Sequence, residues 1–399
     1  MPASPPVRPT RALLVAGIVL VALNLRPALA AVGPLVAAMR DATGLSNTAL
    51  GMLTTLPLVA FGLVSAFTPV ATRRLGFEGA LALALALIAA GVLARSAPGT
   101  ALLFLGTVVL GVGIALGNVL LPSLVKRDFP DRVGPMTSVY SSAMGLGATL
   151  AAGASVPLAM AAGGALGWRG SLGAWALLAV LGLVVWAPQI RRRAPVQPRG
   201  SVLASLRELS RSRIAWAVAL FMGLQSFTFY VVLAWLPDLL QARGLSPEDA
   251  GWMLALSQAT GFAGSAVVPL WAGRRTSQVA SIVALMAIEA VGIAGLMLPG
   301  TSLAWLWVGA IGFALGGSFG VSLLLIALRA ADAETSAELS GMAQSVGYLV
   351  AATGPAVVGA LHDATSGWTV PLLALVAVVV AKTVAGVMAG REGVVRVGA

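Results

Sequence analysis

The chain has 399 residues, of which 58% are hydrophobic and only 10% are charged, and its mean hydropathy is +0.94. A soluble core cannot bury this much apolar surface, so the composition excludes a soluble globular protein and indicates a polytopic membrane protein. The net charge of +11 could indicate nucleic-acid binding, whereas the lack of cysteine in the sequence excludes disulfides and zinc–thiolate sites.

Twelve runs of the sequence are long and apolar enough to cross a bilayer as helices, because one span needs about 20 mostly apolar residues. They lie near residues 12 to 39, 46 to 69, 76 to 96, 99 to 125, 134 to 163, 168 to 188, 213 to 242, 246 to 273, 277 to 298, 300 to 328, 335 to 361 and 366 to 389. The sequence therefore predicts an all-α membrane protein with twelve transmembrane helices.

The basic side chains are distributed unevenly over the predicted loops. With the N-terminus in the cytosol, 19 Lys and Arg residues lie in cytosolic segments and four in external loops, namely Arg40, Arg95, Arg169 and Arg243. This asymmetry follows the positive-inside rule, and an even number of spans places both termini in the cytosol. We therefore expect a multi-pass protein of the cell (inner or cytoplasmic) membrane, with no basic patch left over for nucleic acid.

A secretory signal peptide is the alternative interpretation of the N-terminal segment. Arg8 and Arg11 precede an apolar stretch, and Ala28-Leu29-Ala30 resembles a small-x-small cleavage site. Cleavage there would leave eleven spans and move the new N-terminus outside, which fits the charge distribution worse.

The two halves of the sequence share landmarks that are 200 residues apart. Gly44-Leu45-Ser46 recurs as Gly244-Leu245-Ser246, Pro69 recurs as Pro269, and Trp168 recurs as Trp368. This repeat predicts an N-terminal six-helix bundle (1–188), a basic cytosolic linker (189–212) and a C-terminal six-helix bundle (213–399). Parallel repeats of this kind are typical of major facilitators, in which the substrate site lies near the middle of the membrane and the halves rock about it.

Four longer stretches carry a family resemblance. They are "LNLRPALAAVGPL" in the first span, "GNVLLPSLVKRDFPDRVGPMTSVYSSAMGLG" (117–147), "GWRGSLGAWALL" (167–178) and "GLQSFTFYVVLAWLPDLLQARGLS" (223–246). Together they resemble the cyanate and 2-nitroimidazole transporter branch of the major facilitator superfamily, over nearly the whole chain. The resemblance implies a secondary active transporter that moves a small anionic or polar solute by rocker-switch alternating access.

Arg26 is the one charged side chain in the run from Ala12 to Met39. At 1.5 Å per residue it lies roughly 20 Å from Arg11 or Arg40, so its side chain cannot reach water at either end. An arginine at this depth costs at least about 2.5–3.5 kcal/mol unless it faces a wet cavity or a partner. We therefore expect Arg26 to offer planar, paired donors to the substrate in a central site. A structural tie between two helices is the alternative.

Further polar residues of the spans are candidate substrate-binding residues. They are Asn24 in the first span, Asn118 in the fourth, Tyr140 in the fifth, Gln225 and Tyr230 in the seventh, and Gln344 and Tyr348 in the eleventh. Ser340, Gln344 and Tyr348 recur every four residues and therefore share one helix face. Interhelical hydrogen bonding is the alternative for each candidate, because polar side chains commonly join membrane helices.

Charged residues elsewhere suggest a coupling site and a gate. Glu289 lies near the middle of the ninth span, where a buried carboxyl group could exchange protons, so it is the candidate coupling residue and the proton is the candidate coupling ion. A structural carboxyl group bonded to a neighbouring helix is the alternative. Lys382 lies close enough to the cytosolic end of the twelfth span to reach water. The candidate cytosolic gate comprises Arg73, Arg74, Lys126, Arg127 and Asp128.

Enzymatic and ATP-driven functions are poorly supported. The two lysines of the chain, Lys126 and Lys382, do not stand in a phosphate-binding loop, and the single histidine offers little for metal catalysis or a Ser-His hydrolase. The sequence therefore predicts neither an enzyme nor a cofactor or metal. We expect a monomer whose partners are the bilayer, a small-molecule or anion substrate and a coupling proton. An exporter of lipophilic drugs on the same fold, or a non-transporting membrane sensor, is the alternative.

Overall fold

The computed structural model describes residues 11–164, 167–190 and 202–396. Within these ranges the chain is helical, and the one extended pairing is an isolated parallel bridge between Ala330 and Val395. The α-helices are α1 (Arg11–Asn24), α2 (Pro27–Ala30), α3 (Val36–Thr43), α4 (Asn47–Val64), α5 (Thr68–Ser96), α6 (Thr100–Asp128), α7 (Val133–Ala162), α8 (Gly167–Ile190), α9 (Val202–Leu209), α10 (Arg213–Gln241), α11 (Pro247–Ala272), α12 (Val279–Met297), α13 (Ala304–Leu328), α14 (Ala333–Thr365) and α15 (Thr369–Gly390).

Eleven stretches of the described residues are long and apolar enough to cross a membrane. One of them, Ala49–Ser96, has 48 residues, which is about twice the length that a single span requires. Gly76 interrupts it with φ 72° and ψ 172°, a conformation that glycine adopts readily and other residues avoid. The stretch covers the second and third predicted spans, so the described helices account for all twelve.

The predicted internal repeat is visible in one loop of each half. Gly44 follows α3 with φ 68°, and Gly244 follows α10 with φ 96°. Two residues later, the Ser46 hydroxyl accepts from the amide of Ala49 (3.2 Å) and the Ser246 hydroxyl accepts from that of Asp249 (3.1 Å). Each serine side chain thereby satisfies an amide of the first turn that has no partner within the helix, so the same residues build the same turn twice.

The chain divides into two compact units. The first comprises the described residues of 1–57, 70–121 and 143–198, and the second those of 58–69, 122–142 and 199–399. The predicted bundle boundaries (1–188 and 213–399) stay a prediction, and residues 191–201 of the predicted linker lie outside the described residues.

The first unit has an apolar core around the second half of the first predicted span. Its buried members are Ala31, Val32, Leu35, Met39, Leu50, Leu53, Leu103, Ala151, Trp168 and Leu172. Where α5 meets α6 the backbones approach closely, because a Cβ atom on Gly106 would lie 2.6 Å from the Gly91 carbonyl oxygen. Small residues at such crossings allow membrane helices to gain van der Waals contact and to hold polar side chains at fixed positions.

The second unit is also held by crossings of small residues. A Cβ atom on Gly223 of α10 would lie 3.1 Å from the Cα atom of Gly347 of α14. A Cβ atom on Gly261 of α11 would lie 3.2 Å from the carbonyl oxygen of Gly312 of α13. The first crossing brings α10 and α14, which carry four candidate site residues, against each other.

Candidate substrate site

The first predicted span is interrupted at Arg26. α1 ends at Asn24, and the single-turn α2 begins at Pro27, which has no N–H group to donate to the preceding turn. Arg26 lies between them with φ −121° and ψ −33°, and its carbonyl accepts from the amides of Leu29 (3.0 Å) and Ala30 (3.1 Å). Its side chain is half-buried. Arg26 therefore stands at a break inside a candidate membrane span.

Neighbouring helices of the first unit pack closely on this break. Because Pro27 lacks an amide hydrogen, the carbonyl of Leu23 loses the donor that an unbroken helix would supply. A Cβ atom on Gly147 of α7 would lie 2.5 Å from that carbonyl oxygen. A Cβ atom on Gly117 of α6 would lie 2.6 Å from the Leu25 side chain. Gly147 therefore allows α7 to reach the interrupted backbone, and Gly117 allows α6 to pack on the Leu25 side chain.

The two asparagine candidates of the first unit are buried. Asn24 donates from Nδ2 to the carbonyl of Leu20 (2.8 Å) and to that of Leu178 (3.1 Å) on α8. These bonds use both amide protons of Asn24 and tie α1 to α8, which is the interhelical bond weighed above as the alternative. Asn118 lies in α6 directly after Gly117. A substrate contact for either residue stays a prediction.

Arg95, one of the four basic residues predicted to lie in external loops, is buried. It is the penultimate residue of α5 and is 1% exposed. Its Nη1 donates to the carbonyl of Ala28 in α2 at 2.6 Å, whereas Nε and Nη2 have no hydrogen-bond partner among the described residues. The expectation is wrong for this side chain, because its long stem carries the guanidinium group into the protein. No local pattern distinguishes such an arginine from one that faces water.

In the second unit, α10 and α14 bring two glutamine candidates near the same crossing. Gln225 lies two residues from Gly223 and donates from Nε2 to the hydroxyl of Ser226 at 2.7 Å. Gln344 lies three residues before Gly347 and donates to the hydroxyl of Ser340 at 2.9 Å, so Ser340 and Gln344 share one face of α14 as predicted. Both glutamines are buried. Their contact with a substrate stays a prediction.

The tyrosine candidates lie in different surroundings. The buried ring of Tyr348 packs on Phe61 with centroids 5.0 Å apart, and its hydroxyl has no hydrogen-bond partner among the described residues. Tyr230 is half-buried and forms an edge-to-face pair with Phe229 at 5.3 Å. Tyr140 is fully buried in α7. The second unit thus combines aromatic surface with amide and hydroxyl groups.

Glu289 is paired with Lys382, a side chain predicted from its position in the twelfth span to reach water. Both side chains are fully buried, and the Lys382 Nζ atom donates to Glu289 Oε2, joining α12 to α15. The expectation for Lys382 is therefore wrong, because a carboxylate on a neighbouring helix compensates its charge inside the protein. The role of Glu289 in coupling stays a prediction.

The candidate gate residues make local contacts. Arg127 donates to both carboxylate oxygens of Asp128, at 2.9 and 3.0 Å. Lys126 interacts electrostatically with Asp332, whose carboxylate caps α14 by accepting from the amide of Thr335 at 2.9 Å. In the first unit, Arg73 is half-buried and Arg74 is exposed. A gating role for these residues stays a prediction.

Long apolar helices, a charged residue at a break within one of them and buried polar side chains on others are features of membrane transporters. The chain belongs to the Major Facilitator Superfamily, whose family model matches residues 18–355. It is 42% identical to the uncharacterized transporter YycB of Bacillus subtilis (strain 168) over 95% of this chain and 94% of that one. It is 41% identical to the 2-nitroimidazole transporter of Escherichia coli (strain K12), over 97% of both chains.

Another relative and two solved structures extend the comparison. The cyanate transport protein CynX of Escherichia coli (strain K12) is 29% identical over 88% of this chain and 90% of its own. The proton:xylose symporter XylE matches with a TM-score of 0.75 and 15% identity, over 94% of both chains. The E. coli fucose:proton symporter FucP matches with a TM-score of 0.75 and 13% identity, over 96% of this chain and all of that chain. At these identities the two structures support the fold alone.

These findings confirm the resemblance and the fold class predicted from the sequence. The protein is a multi-pass membrane transporter with the major facilitator fold, and not an enzyme. Its likeness to transporters named for 2-nitroimidazole and for cyanate covers most of the chain.

Proposed function

We propose that this protein is a secondary active transporter of a small anionic or polar solute, such as cyanate, a nitroimidazole or a related organic anion. It works by rocker-switch alternating access, and Arg26 binds the solute in a central site near the middle of the membrane. The observation that carries the proposal is the position of Arg26 at an interrupted, partly buried turn within a membrane span.

The chemistry of arginine supports an anionic or strongly polar substrate. A guanidinium group offers parallel donors that match a carboxylate or another planar acceptor, and it stays charged at any physiological pH. In a span, such a charge is costly unless it faces a wet cavity or a partner. A substrate that carries acceptors into the cavity offsets that cost whenever it is bound.

The relatives support the same substrate class. One is named for 2-nitroimidazole, a small polar heterocycle, and another for cyanate, a small anion. In the second unit, Gln225, Gln344 and Tyr348 supply amide and hydroxyl groups that suit such solutes. We propose that these residues, with Asn24, Asn118, Tyr140 and Tyr230, contribute polar contacts.

Contacts inside the second unit support alternating access. Residues 58–69 and 122–142 belong to the predicted N-terminal bundle, yet they pack in one unit with the C-terminal helices. The Ala66 amide donates to Ser345 Oγ (2.9 Å), and Ser141 Oγ donates to the Ser265 carbonyl (2.9 Å). These positions lie in the cytosolic halves of their predicted spans. We propose that these contacts close the cytosolic side in one state and separate in the other, with Arg73, Arg74, Lys126, Arg127 and Asp128 at that gate.

The remaining elements of the proposal concern location and coupling. The distribution of basic residues supports a cell-membrane protein with both termini in the cytosol. We propose that it functions as a monomer and that a proton gradient drives accumulation. Glu289 is the candidate proton carrier, and because it is paired with Lys382, proton uptake must separate this pair.

Flux measurements in proteoliposomes test the function. The purified protein would be supplied with cyanate, 2-nitroimidazole, benzoate and a lipophilic cationic dye, each with and without an imposed pH gradient. We expect saturable flux of at least one of the first three and acceleration by the gradient. Flux of the dye alone would instead establish an exporter of lipophilic drugs, and binding without turnover would establish a sensor.

A further inference from the structure

The break in the first span leaves the Ala28 carbonyl without its usual donor. In an unbroken helix the amide of Val32 would bond to Ala28, but here it bonds to the Leu29 carbonyl at 3.4 Å. The chain then enters the 3-10 turn Gly33–Leu35, in which Pro34 has no amide hydrogen. The Ala28 carbonyl is a buried acceptor that needs a donor from elsewhere.

Arg95 supplies that donor from a neighbouring helix. Its Nη1 lies 2.6 Å from the Ala28 carbonyl oxygen, a short bond of the kind that a charged donor makes. The backbone of Arg95 is itself held in place, because a Cβ atom on Gly106 of α6 would lie 2.8 Å from the Arg95 Cβ. The bond therefore fastens the single-turn α2 to the packed pair of helices α5 and α6.

Ala28, whose carbonyl accepts the bond from Arg95, is two residues from Arg26. The carbonyl of Arg26 accepts from Leu29 and Ala30, so Arg26 and Ala28 belong to the same hydrogen-bonded turn. Fixing one carbonyl of so short a turn restricts the backbone of all its residues. Without the Arg95 bond, apolar packing and the backbone bonds of Leu29 and Ala30 would remain, but no side chain would hold the Ala28 carbonyl in place.

We propose that Arg95 is a positioning residue, which holds the interrupted turn of the first span so that the Arg26 side chain is presented to the substrate. The inference rests on the proposed function of Arg26. Arg95 acts through the backbone of α2 and makes no contact with the substrate itself. A substrate-binding arginine held on an otherwise loose turn would lose affinity, because part of the binding energy would be spent on ordering the turn.

The test combines a measurement on the turn with a measurement on transport. Arg95→Met keeps the length of the side chain and removes all its donors, whereas Arg95→Lys keeps the charge and one group able to reach Ala28. Without substrate, Arg95→Met should accelerate amide hydrogen exchange in residues 25–35 by about 10-fold or more, because a hydrogen bond from a charged donor is lost. Arg95→Lys should restore much of the protection.

Transport measurements on the same variants show whether the Arg95 substitution weakens substrate binding by displacing Arg26. With cyanate as the probe, Arg95→Met should raise the apparent KM by about 10-fold and change the maximal rate per folded protein much less. In an Arg26→Gln background, Arg95→Met should raise KM no further. Multiplicative effects of the two substitutions, or unchanged hydrogen exchange in residues 25–35, would overturn the inference.

A matched control variant and the amide hydrogen exchange measurement distinguish failure of the Arg95 inference from failure of the proposed function of Arg26. Arg169 also donates to a backbone carbonyl of the first unit, that of Ala97, so Arg169→Met removes a comparable bond without changing the donor of the Ala28 carbonyl. It should leave both KM and the exchange of residues 25–35 unchanged. If Arg26→Gln alone left KM unchanged, the proposed role of Arg26 in substrate binding would be wrong. Amide hydrogen exchange could still show, in that case, that Arg95 holds the turn. If Arg95→Met does not fold, Arg95→Lys allows the same comparison with smaller shifts.

Discussion

Glu289 of α12 and Lys382 of α15 form an ion pair in which both side chains are fully buried. The other carboxylate oxygen, Glu289 Oε1, has no hydrogen-bond partner among the described residues. Two opposite charges on neighbouring membrane helices compensate each other, but the loss of one leaves the other buried and unpaired. Removing one charge should therefore lower the stability of the protein more than removing both.

Glu289→Met or Lys382→Met alone should destabilise the protein, each by about 3–5 kcal/mol, because an uncompensated charge remains in the protein interior. The double variant should recover much of that loss, since both charges disappear together. Thermal unfolding of the purified single and double variants measures the difference. Additive losses in the double variant would contradict the pairing.

Glu289 can be tested as a proton carrier in a background without the unpaired lysine. On the proposal that it couples transport to protons, Glu289→Gln combined with Lys382→Gln should retain downhill cyanate exchange and lose accumulation driven by a pH gradient. Lys382→Gln alone serves as the control that retains the carboxyl group. Normal accumulation by the double variant would reduce the pair to a structural role.

Arg26 is predicted to bind substrate through its planar fork. Arg26→Lys keeps the charge and loses the fork, so it should fold yet transport poorly, and Arg26→Gln should be worse for an anion. Apparent affinity should fall by roughly 10- to 100-fold, as expected for the loss of a hydrogen bond to a charged group.

Substrate-induced thermal shift and initial flux, measured on the same preparations, check the prediction for Arg26. Arg40→Gln is the control, because Arg40 lies in α3 directly after the same predicted span and its side chain is 49% exposed. A structural tie at Arg26 would lower yield and stability and leave the surviving protein with normal affinity. Unchanged affinity in well-folded Arg26→Gln would therefore exclude the anion site.

Gly147 of α7 is predicted to be intolerant of a side chain. A Cβ atom there would lie 2.5 Å from the Leu23 carbonyl oxygen, so Gly147→Ala should force α1 and α7 apart and cost about 1–3 kcal/mol. Gly153→Ala, in the same helix with nothing within 4 Å of the added atom, should leave stability unchanged or slightly raised. Thermal unfolding of both variants checks this, and equal losses would argue against the close approach.

The proposed closure of the cytosolic side can be tested by crosslinking. Ser138 Oγ donates to the Ala266 carbonyl, and the chain has no cysteine of its own. The pair Ser138→Cys and Ala266→Cys should crosslink readily without substrate, and saturating cyanate should lower the yield by roughly half as both states become populated. Each single variant controls for intermolecular products. A yield independent of transported substrate would contradict rocking about this contact.

Several features of this protein follow from the sequence alone because they depend on local composition. The twelve spans are determined by apolar runs of sufficient length, since a lipid environment requires each run to satisfy its own backbone hydrogen bonds. The missing donor for the Leu23 carbonyl next to Arg26 follows from Pro27, which has no amide hydrogen. The matching turns at Gly44 and Gly244 follow from residues that repeat within the chain.

The partners of Arg95 and Lys382 were decided only by the tertiary structure. Arg95 bonds to a residue 67 positions earlier in the chain, and Lys382 to one 93 positions earlier, so no pattern within a span could reveal either contact. From their positions near helix ends, both side chains are predicted to reach water. Packing between helices placed an acceptor within reach of each, and burial then made pairing the lower-energy choice.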